Sequence, residues 1–236
     1  MFYIIKGKYI IISLSLIMFI IVSAFTIHKT VSVFENSVSN DIATVILDAG
    51  HGYPDGGAVG ITGIEEKDIN LAIVKKLEEV LEAKGMNVIL TRMGDNSLFN
   101  SDDNTIREKK RSDMNTRKAI MENSNADLFL SIHMNSFSDK SANGLHVFYA
   151  KNHSEIEPLA SEIQTRISEI TGAATHSVKT ADEKLFLMKK PPIPALLIEC
   201  GFISNPAEEQ KLCDNEYQTK IAWAIAEAIC EFKNSN

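Results

Sequence analysis

Two hydrophobic patterns alternate along the chain from Ile42 onward. Short β-branched and apolar runs, 44–47 (TVIL) and 87–91 (NVILT), are typical of buried strands. Between them, residues 68–84 repeat apolar side chains at the spacing of one helix face, and Gly85 follows where a helix often ends in glycine. This part of the chain therefore predicts a strand, a helix and a second strand.

The same alternation continues to the end of the chain. Residues 94–110 are polar and without periodicity, which predicts an exposed loop. Strands and helices that alternate in this way are typical of a sheet with helices on both faces, so we predict a single α/β domain. The remaining predicted elements are strands at 127–132, 145–149 and 195–199 and helices at 114–123, 155–170 and 217–232.

An apolar segment precedes this domain. Lys6 and Lys8 are followed by residues 9–27, an uncharged run interrupted only by small polar residues and long enough to span a bilayer. A positive flank before such a run is typical of a secretory signal peptide or a membrane anchor, with the rest of the chain exported. We therefore predict that residues 1–27 are a signal peptide or a membrane anchor and that 28–41 are a linker. Whether the leader is cleaved stays open, and the membrane is a partner only if it is not.

Composition and charge exclude several classes of protein. The chain is 44% hydrophobic, which is ordinary for a globular domain and excludes disorder. Lys and Arg number 24 against 31 Asp and Glu, a net charge of −7, so the surface offers no expected footprint for nucleic acid. Cys200, Cys213 and Cys230 form neither a zinc-ribbon pattern nor a disulfide framework, and we expect them to be small buried hydrophobes.

Residues able to carry chemistry stand at the ends of three predicted strands. They are His51, His133 and Glu199, while Glu66 opens the helix that follows the glycine-rich loop. In open α/β sheets ligand sites gather at the carboxyl ends of the strands. Two imidazoles and one carboxylate are a usual ligand set for catalytic zinc, and a second carboxylate is then needed as a general base. The residues therefore include what a zinc hydrolase requires.

Each of these residues also has a purely structural interpretation. A histidine at a strand end is often a surface residue, Glu66 could simply stabilise a helix N-terminus, and the glycines could simply allow positive φ. Glu199 is the hardest to explain in this way, because a carboxylate after four buried apolar residues needs a counter-ion, a metal or a raised pKa. The histidines without such a context are interpreted as structural or solvated; they are His28, His146, His153 and His176.

Three longer runs of sequence surround the candidate residues. They are VILDAGHGYPDGGAVGITGIEEKDINLA at 45–72, ADLFLSIHMNS at 126–136 and ALLIECGFISNPAEEQKL at 195–212. In content and order they resemble the zinc-dependent N-acetylmuramoyl-L-alanine amidases of the amidase-3 family, over essentially all of 42–232. The resemblance implies a mixed, twisted sheet with helices on both faces and a catalytic domain over 42–236.

The resemblance also implies roles for individual residues. His51, Glu66 and His133 match the zinc ligands of the family, and Glu199 matches its catalytic glutamate. Glu66 is preferred to Glu65 because the family ligand directly precedes a lysine. Ala49 replaces a proline that is usual in the first motif, without changing a ligand.

The implied reaction is hydrolysis of the amide between N-acetylmuramic acid and L-alanine in peptidoglycan. A short chain with a leader and no wall-binding repeats is most similar to the spore-cortex type, which prepares muramic-δ-lactam for germination. That type would act in the forespore intermembrane space, and an activating accessory protein is a further possible partner. Two alternatives remain: a zinc peptidase that cuts within the stem peptide, and an inactive wall-binding protein.

Overall fold

The structure of the chain, a computed structural model, describes residue 18 and residues 44–235. The predicted leader and linker therefore lie outside the described residues, apart from residue 18. Among the helices that are described, none is both long enough and apolar enough to cross a membrane. The described strands are Thr44–Ala49 (β1), Asn87–Leu90 (β2), Leu128–Asn135 (β3), His146–Tyr149 (β4), Lys179–Thr180 (β5) and Ala195–Phe202 (β6), and the helices are Glu66–Ala83 (α1), Ile106–Asn123 (α2), Glu157–Thr171 (α3), Pro206–Leu212 (α4) and Asn215–Ser235 (α5).

The six strands form one mixed sheet in the order β2-β1-β3-β6-β4-β5. The strands β2, β1, β3 and β6 are parallel, β4 is antiparallel to β6, and β5 is parallel to β4. Because the parallel strands form the centre, their carboxyl ends meet along one edge of the sheet. The single α/β domain with a mixed sheet is therefore confirmed.

Side chains alternate between the two faces of the sheet. On one face Leu47, Leu130 and Ile198 belong to a large core built with α1, α3 and α5. On the other face Ile46 and Phe129 belong to a smaller core that includes residues of α2 and of the short 3₁₀ helix Phe186–Met188. Helices thus cover both faces, and the second face is covered less completely.

The helix α2 differs from its prediction. Residues 94–110 were predicted as a loop, but the helix begins at Ile106. The start is fixed by a capping box in which the Thr105 hydroxyl accepts from the Glu108 N–H and the Glu108 carboxylate accepts from the Thr105 N–H. The prediction was therefore wrong for residues 106–110.

The remaining differences are smaller. The strand β5 and the helix α4 were not predicted, since β5 is two residues long and α4 seven. Cys200 is buried in the core, as expected, but Cys213 is exposed and Cys230 is half-buried. The expectation of burial was therefore wrong for Cys213, which follows the end of α4.

Candidate active site

His51 follows β1 in a backbone conformation that ordinary residues rarely adopt, with φ of 63°. A buried arginine stabilises this turn: Arg117 of α2 donates from Nη2 to the His51 carbonyl at 2.6 Å and from Nη1 to the Ala49 carbonyl at 2.9 Å. A second buried arginine, Arg92, donates from Nε to the same Ala49 carbonyl. The backbone of the turn that carries His51 is therefore held by two buried arginines.

Glu66, the first residue of α1, is buried and its carboxylate accepts several hydrogen bonds. The Ala58 N–H donates to Oε2 at 2.9 Å, and the Met134 N–H and the Asn70 amide donate to Oε1 at 3.0 and 3.3 Å. Burial raises the pKa of Glu66, but its contacts with His133 and His51 outweigh burial and hold the pKa far below the ordinary value. Glu66 is therefore a fixed, negatively charged group.

His133, on β3, completes a group with His51 and Glu66. The His51 Nε2 lies 3.2 Å from Glu66 Oε2, and the His133 Nδ1 lies 2.9 Å from Glu66 Oε1. One possible ligand atom from each residue lies within 4.8 Å of the other two. Two imidazoles and a carboxylate that converge in this way are the donor set of a catalytic zinc site with a free position. The residues present therefore fit a zinc ion.

Two glycines leave room for this group. A Cβ on Gly50 would overlap the His133 ring, and a Cβ on Gly57 would lie 2.6 Å from Glu66 Oε2 and 2.7 Å from the His51 ring. Gly57 also has φ of 73°, whereas Gly50 is required by close approach alone. The interpretation of the loop glycines as merely permitting positive φ was therefore incomplete.

Asp55 forms an outer contact to the same group. Its Oδ2 lies 3.1 Å from His51 Nδ1 and 3.0 Å from the Lys110 ammonium. A carboxylate on one ring nitrogen fixes the orientation of the imidazole and leaves the other nitrogen for a metal. Burial lowers the pKa of His51, but the contacts with Asp55 and Glu66 raise it to about 9.

Glu199 lies on β6 directly beside His133, with which it is paired in the register of the two parallel strands. Its Oε2 is buried and has no hydrogen-bond partner among the described residues. Burial and the negative charge of Glu66 raise the pKa of Glu199, whereas the charges of His133 and His51 lower it. The net result is a pKa of about 7. A carboxyl group with such a pKa can both accept and donate a proton near neutrality.

A buried network not identified from the sequence supports the site. Asp48 accepts hydrogen bonds from Arg117 at 2.5 Å, from the Thr91 hydroxyl at 2.7 Å and from the Ser131 hydroxyl at 2.6 Å. Burial raises the pKa of Asp48, but Arg117 and these hydroxyls lower it below the ordinary value. The signal was present in the sequence, because Asp48, like Glu199, follows a buried apolar run and needs a partner.

The site opens into a cleft of about 160 Å³ on the less covered face of the sheet. Lys110 and Met114 of α2 line one side of the cleft, and Leu185 and Phe186 line the other. Leu185 and Phe186 are 41% and 45% exposed, so an apolar rim borders the polar group. The structure thus brings all four predicted residues, His51, Glu66, His133 and Glu199, to one end of the sheet, next to a cleft open to solvent.

The fold and the site together define the class: an α/β protein that carries a group able to hold a metal ion at the carboxyl ends of parallel strands. The sequence matches the Amidase_3 family, described as N-acetylmuramoyl-L-alanine amidase, over residues 45–231. The chain therefore belongs to this family and is an N-acetylmuramoyl-L-alanine amidase, a hydrolase.

Individual relatives agree with this membership. The chain is 34% identical to the germination-specific N-acetylmuramoyl-L-alanine amidase of Bacillus subtilis (strain 168), over 80% of this chain and 78% of that protein. It is 29% identical to the amidase AmiA of Escherichia coli (strain K12), over 80% of this chain and 75% of that protein.

Solved structures give the same result. The CwlD amidase from Clostridioides difficile, solved in complex with the GerS lipoprotein, matches with a TM-score of 0.79 and 42% identity, over 82% of this chain and 100% of that one. The catalytic domain of the amidase CwlV from Bacillus (Paenibacillus) polymyxa matches with a TM-score of 0.70 and 31% identity, over 82% and 99% of the two chains.

Proposed function

We propose that this amidase is zinc-dependent and that its work is the maturation of the spore cortex. The observation that carries the zinc dependence is the convergence of one donor atom each from His51, Glu66 and His133 within 4.8 Å, beside Glu199. In this proposal the first three residues hold Zn²⁺ and Glu199 is the catalytic residue. A zinc ion held there would polarise the carbonyl of the substrate amide and make water more acidic.

The chain's own residues perform the remaining steps. Glu199 accepts a proton from the attacking water and delivers it to the alanine nitrogen as the carbon–nitrogen bond breaks. Its buried, unpartnered Oε2 suits this role, because no group of the described residues competes for the proton. Asp55 orients His51, and Arg117 with Arg92 keeps the loop that carries His51 in place.

The substrate is the amide between the lactyl group of N-acetylmuramic acid and L-alanine of the peptidoglycan stem. The cortex role is supported by the similarity to the germination-specific amidase of B. subtilis and to the CwlD amidase. In that role, removal of the stem peptide leaves a free lactyl carboxylate from which muramic-δ-lactam is formed. The protein is exported by residues 1–27 and works outside the cytoplasm, in the forespore intermembrane space.

An accessory protein is part of this proposal. The solved CwlD amidase is bound to the GerS lipoprotein. We infer that the present chain also binds a lipoprotein that activates it or stabilises its site.

The test is to identify the products released from purified peptidoglycan. The full chain, purified in detergent with its zinc content measured, is incubated with sacculi, and the products are identified by mass spectrometry. Free stem peptides that begin with L-alanine, lost on addition of a chelator and restored by zinc, are expected. Muramic acid that retains L-alanine would instead identify a peptidase that cuts within the stem.

Two further outcomes of this experiment contradict other parts of the proposal. Release of stem peptides that a chelator does not reduce contradicts the zinc dependence. A zinc-loaded chain that binds sacculi and releases nothing, even with a lipoprotein partner added, would show a wall-binding protein.

A further inference from the structure

A third side chain stands in the same row of the sheet as His133 and Glu199. In the register of the sheet, Glu199 on β6 pairs with His133 on β3 and with His146 on β4. Residues paired directly across two neighbouring strands project from the same face of a sheet. His146 therefore flanks Glu199 on the side opposite to His133, on the face that carries the cleft.

The ring of His146 packs against aromatic neighbours, but one of its nitrogens is unused. Its Nδ1 is buried and has no hydrogen-bond partner among the described residues. The ring lies 3.9 Å from that of His176 and 5.6 Å from that of Phe148, measured between centroids. Burial lowers the pKa of His146 to about 4, with His176 and Lys179 acting in the same direction. A buried polar atom without a partner is uncommon and calls for an explanation.

A cation completes the cluster at the edge of the sheet. Lys179 of β5 pairs with Phe148 of β4, two residues beyond His146, and so projects from the same face. Lys179 is exposed, and within the described part of the chain no carboxylate lies within 4 Å of its ammonium. On α2, which lines the cleft, Lys110 is already paired with Asp55. Lys179 thus offers a positive charge without an ion-pair partner among the described residues, on the β4–β5 side of Glu199.

We propose that His146 and Lys179 form a subsite that binds a carboxylate of the peptide stem, with His176, whose Nε2 lies 2.9 Å from the Asn143 carbonyl, packed against the His146 ring. The inference rests on the proposed function, and it specifies which side of the scissile amide each half of the substrate occupies. The sugars of peptidoglycan carry hydroxyl and acetamido groups, whereas the stem peptide carries carboxylates. A cation and the unpartnered ring nitrogen of His146 therefore select the peptide, so the glycan extends toward the Lys110 side.

The test compares two substrates that differ by one charge. N-acetylmuramoyl-L-alanyl-D-glutamate has an α-carboxylate on its second residue, and the isoglutamine form has an amide there. We expect kcat/KM of the zinc-loaded full chain to be about fivefold higher for the carboxylate form. A factor of about five corresponds to the free energy of a partly exposed ion pair. The preference should reside in KM and shrink as salt screens the charge.

Variants assign the preference to the cluster. Lys179→Gln and His146→Asn should each reduce the ratio of the two kcat/KM values to below about 2. Lys179 is exposed on a two-residue edge strand, so its replacement leaves the fold intact even if that of His146 does not. The matched control is Lys220→Gln, a half-buried lysine of α5 that is paired with Glu216 on the other side of the sheet, which should keep the wild-type ratio.

Several outcomes would overturn the subsite. Equal kcat/KM values for the two substrates in the wild type would do so, as would a ratio that Lys179→Gln leaves unchanged. If the zinc-loaded wild type cleaves neither substrate even with the lipoprotein partner added, the proposed function fails, and calorimetry of both compounds with the Glu199→Gln chain then decides the subsite. Tighter binding of the carboxylate form that is lost with Lys179→Gln would still support it, and equal binding would reject it.

Discussion

At the scale of single residues, alternation along β6 determines which side chains can do chemistry. Glu199 and Cys200 are neighbours, yet Cys200 belongs to the main core whereas Glu199 borders the cleft on the opposite face. The four apolar residues before Glu199 already indicated a buried strand. A carboxylate at the end of that strand, whose burial costs free energy, could therefore be recognised in the sequence. Glu199 could therefore be identified as a candidate functional residue before the fold was known.

The first prediction concerns this carboxylate. Glu199→Gln preserves size and hydrogen-bonding capacity but removes the group that accepts and returns the proton. We expect kcat to fall by at least about 100-fold, the lower bound for a general acid–base group, with zinc content and Tm unchanged. Elemental analysis and steady-state kinetics check both parts. The matched control, Glu79→Gln on the exposed surface of α1, should keep full activity, and an active Glu199→Gln would reject the assignment.

The second prediction concerns Arg117, which the sequence did not single out. Its guanidinium is fully buried between Asp48, Asp113 and the His51 carbonyl, so Arg117→Met leaves two carboxylates buried without their cation. We expect the free energy of unfolding to fall by about 3–5 kcal/mol. Weaker zinc retention at neutral pH should accompany this loss, because the turn that carries His51 loses its support.

A neighbouring residue of α2 provides the control for Arg117. Lys118→Met removes an exposed ion pair to Glu122 and should change the free energy of unfolding by less than about 0.5 kcal/mol. Denaturant titrations of the two variants and the wild type measure both effects. A loss below about 1 kcal/mol in Arg117→Met would contradict the supporting role.

At the scale of elements, α2 shows why part of the structure could not be predicted from hydrophobic periodicity. Its inward face buries Ser112, Asp113 and Arg117 together with Met121. Because polar side chains replace the apolar stripe, the first turns do not show the pattern by which α1 was located. All strands of the sheet except the two-residue β5 were predicted because they contain apolar runs, as in β1 and β6.

The third prediction tests what begins α2. The Thr105 hydroxyl and the Glu108 carboxylate satisfy each other's backbone N–H groups, which compensates for weak apolar packing in the first turn. Thr105→Ala should therefore lower the free energy of unfolding by about 1 kcal/mol, and Thr105→Ser should restore most of it. Chemical denaturation gives the values. Ser101→Ala, an exposed change just before the helix, serves as control, and an unchanged stability in Thr105→Ala would mean that packing alone determines the start.

At the scale of the whole molecule, the sheet order brings together residues that are far apart in the sequence. The motifs around His51, His133 and Glu199 lie on β1, β3 and β6, which are adjacent in the sheet although β4 and β5 separate β3 from β6 in the chain. The motifs predicted which residues meet. A strand at 145–149 was predicted, but not its antiparallel direction or the register that places His146 beside Glu199, because strand pairing depends on contacts between distant segments.

The metal-free molecule has a pH dependence that follows from the same arrangement. His51 is buried, yet Asp55 and Glu66 raise its pKa to about 9, above the ordinary value of 6.5. Protonated His51 therefore stabilises the metal-free fold fully below about pH 6.5, and this contribution is lost as the pH rises through about 9.

The last prediction is that zinc stabilises the protein more as the pH rises. A histidine nitrogen must lose its proton to hold a metal, so zinc competes with the proton that stabilises the metal-free form. The difference in Tm between the zinc-loaded and the metal-free full chain should be small at pH 6 and increase up to about pH 9. Groups that do not touch the site titrate equally in both forms, so their effects on Tm cancel in this difference.

Magnesium, which prefers oxygen ligands, should produce no such difference in Tm at any pH. Thermal unfolding followed by circular dichroism provides the measurement. A difference that is constant or declines with pH would mean that His51 is not a ligand, since only a proton displaced by the metal gives the effect its sign.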